Sequence, residues 1–315
     1  MPEILVFNHE AVLSAVAPEE AIERVRHAFV EYASGEWIMP PKVYLDAYPA
    51  GDFRAMPAKG AGVAILKWVT SFPGNPTAGL PVVMGVICVS SAETGEPLAL
   101  IDARSITALR TGAVAAVAAQ ELGPEDAHSV GIVGCGFNGA WSARCLAAAE
   151  FGPGMCFDLD AEAAGSLAGE LGWEAGSREE ALACDVVTCV TPGDEPVVRA
   201  AELHPRMHLN MLGADGPGKA EAEIDAVARC RLFCDEWRQA SHGGELTGAV
   251  EAGVVSRDQV TELGAVLTGA APGREAADEI TLFDSTGLAI QDLALCVAVL
   301  EAHRAGTVKA QAVRL

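Results

Sequence analysis

The spacing of apolar positions changes twice along the chain. From 18 to 35 it is helical: Ala21, Val25 and Phe29 fall on one stripe. Pro18 suits a first helical position, Glu19 and Glu20 sit near the positive end of the dipole, and Gly35 supplies a stop. From 62 to 102 the pattern is that of strands. Residues 62–70 and 82–90 are split by Pro73-Gly74-Asn75-Pro76, and Glu93-Thr94-Gly95-Glu96 reads as a hairpin turn into 97–102. An alanine-rich helix is predicted over 105–122, ending at Gly123-Pro124-Glu125-Asp126. Beyond that break short apolar strands (129–134, 154–158, 185–191 and 207–213) alternate with helical stretches, among them 139–150 and 161–171. Such alternation predicts a parallel sheet with βαβ crossovers. One long helix is predicted over 288–304, and no internal repeat is visible.

Composition narrows the function. A length of 315 residues suits about two domains. The 43 acidic residues against 21 Lys and Arg give a net charge of −22, which disfavours nucleic acids and anionic membranes as partners. Mean hydropathy is +0.26, yet no apolar run reaches about 18 residues, so no membrane span is expected. Met1-Pro2-Glu3-Ile4 has no basic segment, and no secretory signal is expected. Nine scattered cysteines, mostly in apolar runs, point to reduced core thiols in a cytoplasmic protein. There are only five lysines, Lys42, Lys59, Lys67, Lys219 and Lys309, so each is worth weighing singly.

The sharpest motif opens the alternating region. The strand Ser129-Val130-Gly131-Ile132-Val133 runs into Gly134-Cys135-Gly136-Phe137-Asn138-Gly139 and a helix. This is G-x-G-x-x-G in its required setting: Gly134 for the tight turn, Gly136 for close approach of a pyrophosphate, Gly139 for helix–strand packing. Asp158 ends the next strand, 24 positions after Gly134. A carboxylate there accepts from the adenosine ribose and repels a 2′-phosphate, which predicts NAD(H). Asp160 could serve in its place. A glycine turn beside an ordinary surface aspartate is the competing reading, weakened by strand, helix and acid all falling in register. Thr191 and Pro192 end a later strand, at the edge that would face the cofactor.

Other chemistry is less specific. Lys67 shares a strand face with Val63, Ile65 and Val69, which is costly unless the lysine is paired or functional; the bland alternative is a snorkelling edge lysine. Arg54 and Arg110 could each clamp a carboxylate, and either could equally be a solvated charge. Asp215 follows a predicted strand, on the ligand side of a doubly wound sheet, or it supports its own turn. His204 and His208 are four apart, but Pro205 intervenes and no third ligand is near, so no metal site is expected. Cys230 and Cys234 read as core thiols and His242 as a helix-entry residue.

Taken together the motifs resemble the ornithine cyclodeaminase/μ-crystallin family, over nearly the whole chain. The carriers are Met56-Pro57-Ala58, Lys67-Trp68-Val69 with Phe72-Pro73-Gly74-Asn75, Gly79-Leu80-Pro81, Thr107-Ala108-Leu109-Arg110-Thr111 and Gly134-Cys135-Gly136. Gly213-Ala214-Asp215-Gly216-Pro217-Gly218-Lys219 and Phe283-Asp284-Ser285-Thr286-Gly287-Leu288-Ala289-Ile290-Gln291-Asp292 complete the set. The resemblance implies an α/β fold: a Rossmann-type doubly wound parallel sheet over 123–287, plus an α+β substrate and dimerisation domain over 1–122 to which 288–315 returns. It implies a homodimer. It makes Lys42, Lys67 and Arg110 substrate-carboxylate contacts, Asp215 the catalytic acid/base, and Gly287 a neighbour of the substrate. It sets Phe137, Asn138, Asp158, Thr191, Leu212, Gly213, Lys219 and Thr286 against the dinucleotide.

One departure bears on the substrate. Cyclodeaminases carry a glutamate two residues before the Met-Pro, where it handles the distal amine. Arg54 stands there in this chain, as in archaeal-type alanine dehydrogenases, and would repel an ornithine δ-ammonium. The expected function is therefore NAD(H)-dependent interconversion of a small L-amino acid and its 2-oxo or 2-imino acid. Lys67 and Asp215 would handle protons, while Arg54 and Lys42 hold the carboxylate. Reduction of a cyclic ketimine stands second and ornithine or lysine cyclodeamination third. A non-catalytic NADP(H)- and small-ligand-binding protein is the remaining alternative; it would need neither Lys67 nor Asp215.

Overall fold

The computed structural model describes residues 3–193, 195–216 and 218–314. They form two compact units, one of 1–110 with 288–315 and one of 111–287. The first begins with β1 (Glu3–Phe7), α1 (His9–Ala15) and α2 (Pro18–Ala33). Pro18 and two acidic residues start α2, and Ala21, Ile22, Val25, Ala28 and Phe29 form its buried stripe. The strands β2 (Val43–Asp46), β3 (Asp52–Gly60), β4 (Val63–Ser71), β5 (Val83–Ser91) and β6 (Pro97–Asp102) follow, then α3 (Ala103–Leu122).

The second unit continues with β7 (Val130–Val133), α4 (Phe137–Ala148), β8 (Gly154–Phe157), α5 (Ala161–Leu171), β9 (Glu174–Ala175), α6 (Arg178–Leu182), β10 (Val186–Cys189) and β11 (His208–Met211). After these come α7 (Ile224–Val227), β12 (Arg231–Cys234), α8 (Trp237–Gly243), α9 (Thr247–Glu251), β13 (Val260–Glu262), α10 (Leu263–Leu267) and β14 (Thr281–Asp284). The chain then returns to the first unit with α11 (Ala289–Arg304) and β15 (Gln311–Arg314).

The sheet of the second unit has eight strands in the order β13-β12-β14-β11-β10-β7-β8-β9, every pair parallel. Strands β7, β10, β11 and β14 are buried at every position, which is why they read as continuous apolar runs rather than alternations. The first unit's sheet is mixed, β15-β1-β6-β5-β4-β3-β2, parallel only between β1 and β6. Its two faces differ. Met56, Ala58, Val63, Ile65, Val69 and Ile87 are buried with α11 packed over β3 and β4, whereas Leu66, Trp68 and Val86 on the opposite face are exposed.

The division at Thr111 lies inside α3, not at the Gly123 break expected from sequence. The later turns of α3 pack with the second unit. A Cβ on Gly112 would meet the Trp141 carbonyl oxygen at 2.3 Å, and Asn210 Nδ2 donates to the Ala115 carbonyl at 3.2 Å. His242 lies in the last turn of α8 rather than at a helix entry. All nine cysteines are free, and Cys88, on the exposed face of β5, departs from the expected burial. No helix among the described residues is long and apolar enough to cross a membrane.

Candidate active site

In the second unit the glycine loop links β7 to α4. Gly134 has φ +96°, and a Cβ there would meet the Val190 carbonyl oxygen at 2.6 Å. A Cβ on Gly139 would lie 1.8 Å from the Gly134 carbonyl oxygen, whereas one on Gly136 would meet nothing within 4 Å. The loop is therefore tight where it touches the fold and open at its tip. Gly136 caps α4 and, as a glycine, offers the first-turn amides no capping side chain of its own. Open glycine backbone at a helix N-terminus fits a pyrophosphate.

Asp158 follows β8. Its Oδ2 accepts from the Cys135 amide at 2.6 Å and its Oδ1 from the Asp160 amide at 2.8 Å, which ties the carboxylate to the glycine loop. Asp160 is the N-cap of α5 and accepts from the Glu162 and Ala163 amides. Of the two aspartates left open by sequence, Asp160 is used in starting a helix, and Asp158 is the one joined to the loop.

The loops after β10, β11 and β14 are braced by buried acids that sequence reasoning did not single out. Glu221 Oε1 accepts from the Thr191 amide at 2.6 Å and its hydroxyl at 2.7 Å, and Oε2 accepts from the Gly213 amide at 2.7 Å. Glu245 accepts from the amides of Glu221 and Ala222. Asp235 accepts from the Thr286 hydroxyl at 3.2 Å and the Gly287 amide at 2.8 Å. Thr191, Leu212, Gly213, Thr286 and Gly287 are thus held from behind. Burial pushes the Glu245 carboxyl up to about 8, with Glu221 beside it adding to the effect. Burial, with Asp235 and Glu245 nearby, also pushes Asp284 well above the usual carboxylate range. Asp215 and Lys219 face each other across their turn, Nζ to Oδ1 2.8 Å, both partly exposed.

The first unit holds the remaining candidates. Lys67 is in β4, an interior strand, not at an edge. Its side chain is 1% exposed and its Nζ donates to Asp292 Oδ1 at 2.8 Å. Burial draws the Lys67 ammonium below the ordinary lysine range, with Asp292 opposing and Arg110 adding to that shift. Arg110 Nη1 donates to Gln291 Oε1 at 3.3 Å, and its Nε lies 4.0 Å from Asp292 Oδ1. Arg54 is buried on β3, pairs with Asp52 through Nε (2.6 Å) and Nη2 (3.1 Å), and lies over the Tyr44 ring. Arg54 is opposite Val69, so it stands one diagonal from Lys67 on the same face. Lys42, just before β2, is half-buried.

Asp52, Gln291 and Asp292 were not recognised as site candidates from sequence. Asp292 stands in the first turn of α11, where a carboxylate reads as a partner of the helix dipole, and Lys67 is 225 positions away. Asp52 opens β3, whose alternation is obscured by two charges on its buried face. Among the described residues no group of His, Cys, Asp and Glu could hold a metal ion; His208 is buried between Thr281 and Asn210.

Known proteins share this architecture. The chain is 42% identical to the alanine dehydrogenase of Archaeoglobus fulgidus over 306 residues, 95% of each chain. The structure matches an archaeal alanine dehydrogenase dimer with bound NAD at a TM-score of 0.95 and 40% identity, covering 100% of both chains. It matches the Thermococcus litoralis Δ1-pyrroline-2-carboxylate reductase, solved with NADH and L-proline, at a TM-score of 0.93 and 26% identity, covering 99% and 100%. Residues 3–307 match the profile of the ornithine cyclodeaminase/mu-crystallin family, and the chain belongs to that family.

Proposed function

We propose that the protein is an NAD(H)-dependent oxidoreductase that interconverts a small L-amino acid and its 2-oxo or 2-imino acid, as the similar alanine dehydrogenase does by name. The observation that carries this reading is the gathering of cationic side chains on the inner face of the first unit's sheet. Lys67 and Arg54 are buried there, and Arg110 lies 4.0 Å from the Asp292 carboxylate that pairs with Lys67. Cations gathered in a buried setting favour a carboxylate ligand and disfavour a substrate with a second ammonium, such as ornithine.

Each side chain then has a task. Arg110, Arg54 and Lys42 hold the substrate carboxylate. Lys67 Nζ donates to the substrate carbonyl oxygen or imine nitrogen, where a lysine drawn below its ordinary range is a better proton donor. Asp215 moves the proton of water or of the amine, and Lys219 orients its carboxylate. Gly134, Gly136, Phe137, Asn138, Gly139 and Asp158, with the braced residues Thr191, Leu212, Gly213 and Thr286, would hold the dinucleotide, which would provide hydride chemistry at the α-carbon when bound. Gly287 leaves room for the substrate.

The same groups suit a cyclic ketimine, and the similarity to the pyrroline-2-carboxylate reductase supports that second reading. The test is reduced-nicotinamide absorbance with pyruvate plus ammonia, with pyrroline-2-carboxylate and with ornithine. NADH consumption in the first is expected. Consumption in the second alone selects the ketimine reading. Proline formed from ornithine without net NADH change refutes both, and no turnover at all favours a binding protein.

The working species is a homodimer on this reading. The similar archaeal enzyme is a dimer, and the outer sheet face with Leu66, Trp68 and Val86, continued by Val43 and Leu45, leaves apolar surface for a second copy.

A further inference from the structure

We propose that Asp292 is a positioning residue for the reaction: its carboxylate fixes Lys67 Nζ on the inner face of the sheet and keeps it an ammonium. The inference rests on the proton-donor role given to Lys67 above, and goes beyond it by naming the group that sets the charge of that donor.

The geometry separates this from a fold-stabilising role. Lys67 and Asp292 are 1% and 0% exposed, and they meet at 2.8 Å. Asp292 Oδ2 is buried and makes no hydrogen bond among the described residues. A carboxylate placed to knit the fold would use both oxygens, as Glu221 does. A buried ion pair is in any case a poor way to stabilise a core, since an apolar pair of equal volume does as well or better. The arrangement is accounted for by what it does to Lys67.

Among the described residues, the groups that face Nζ come from β3, β5, α3 and α11. Met56 and Ile87 are its cross-strand neighbours on β3 and β5 and carry no charge. On β3 the diagonal neighbour is Arg54, whose charge is matched by Asp52. From α3 comes Arg110, which disfavours an ammonium at Lys67. From α11 come Asp292 and, one turn on, the buried Cys296, whose thiol burial pushes far above its usual range, so it stays neutral. Burial and Arg110 act against the ammonium, and Asp292 is the charged group bonded to it. Gln291, the preceding residue, accepts from Arg110 while it also accepts from the Leu288 amide at the start of α11. One helix turn therefore sets both cations.

The test compares Asp292→Asn, Lys67→Met and the double variant with the unmodified protein. With the 2-oxo acid and ammonia, Asp292→Asn is expected to lower kcat/KM by about tenfold or more. The alkaline limb of its pH profile should move toward acid by about one pH unit or more, with NADH affinity nearly unchanged. A merely structural role would lower Tm and leave that limb in place, which would overturn the proposal. The second arm needs no turnover. The Tm deficit of Asp292→Asn should shrink as pH rises and the unpaired Lys67 loses its proton, and Asp292→Asn should raise Tm when added to Lys67→Met. A deficit that is pH-independent, or a lower Tm in the double variant than in Lys67→Met, overturns the proposal. If Asp292→Asn does not fold alone, the Lys67→Met background decides. If the unmodified protein turns over none of the substrates above, the functional reading fails and the Tm arm still judges the pair.

Discussion

Asp158 and Asp160 stand two residues apart and are bound to different things. Asp160 caps α5, so Asp160→Ala should cost about 1 kcal/mol of stability and leave cofactor preference unchanged. Asp158 is tied to the Cys135 amide of the glycine loop and carries the negative charge a 2′-phosphate would meet. Asp158→Ala should weaken NADH binding and narrow the NADH-over-NADPH ratio, read by fluorescence titration of both cofactors. Equal use of NADPH by the unmodified protein would remove the assignment. Asp215 raises a different question, because its pair with Lys219 could be a turn-holding ion pair and nothing more. Asp215→Asn keeps the shape and most hydrogen bonds. A drop in kcat of about 10²-fold, with NADH affinity kept, is expected for an acid/base. A kcat within a few-fold of the parent would leave it as turn support.

At the scale of elements, the parallel sheet was legible because each of its central strands is short, wholly buried and followed by a glycine, a cap or a turn. The first unit was less so. Strand β2 is exposed at every position and shows no alternation, β3 hides its alternation behind Asp52 and Arg54, and β1 pairs with β15 from the far end of the chain. The site divides the same way. The glycine loop and Asp158 declare themselves within 25 residues, whereas Lys67–Asp292 and Thr191–Glu221 are contacts between distant segments whose chemistry no local pattern announces. The braces behind the cofactor loops have a thermodynamic signature. Glu245 is pushed up to about 8, and Glu221 and Asp284 are also raised. The folded protein therefore holds protons that the unfolded chain releases from about pH 4.5 upward. Stability should fall as pH rises from there through about 8, the reverse of the behaviour of a salt-bridged carboxylate. Thermal unfolding at constant ionic strength should show the highest Tm near pH 5. Glu245→Gln should flatten the slope between pH 5 and 8 whatever its absolute Tm. An unchanged slope would place the proton uptake elsewhere.

For the whole molecule, apolar attraction and charge repulsion oppose each other in the proposed dimer. Leu66, Trp68 and Val86 lie on the exposed face of the mixed sheet at 44%, 38% and 37% exposure, and Val43 and Leu45 are more exposed still. Such a patch drives association. Each protomer carries −22, however, and two such bodies repel over a Debye length of about 30 Å at 0.01 M salt and about 10 Å at 0.1 M. The dimer should therefore tighten as salt is raised, opposite to an interface held by complementary charges. Sedimentation at micromolar protein is expected to show more monomer at low ionic strength and dimer at moderate salt. Trp68→Glu adds a like charge to both sides of a two-fold contact and removes an aromatic of the kind that dominates interfaces. A loss of about 2–4 kcal/mol, roughly 30- to 1000-fold in dissociation constant, is expected for an anchor of this type. Phe53 stacks on Trp68 within the protomer at a centroid distance of 5.5 Å, so Tm must be measured beside the association constant. A variant that keeps its Tm and sediments as a monomer at all salt concentrations locates the interface on this face. A variant that remains dimeric at moderate salt moves the interface elsewhere.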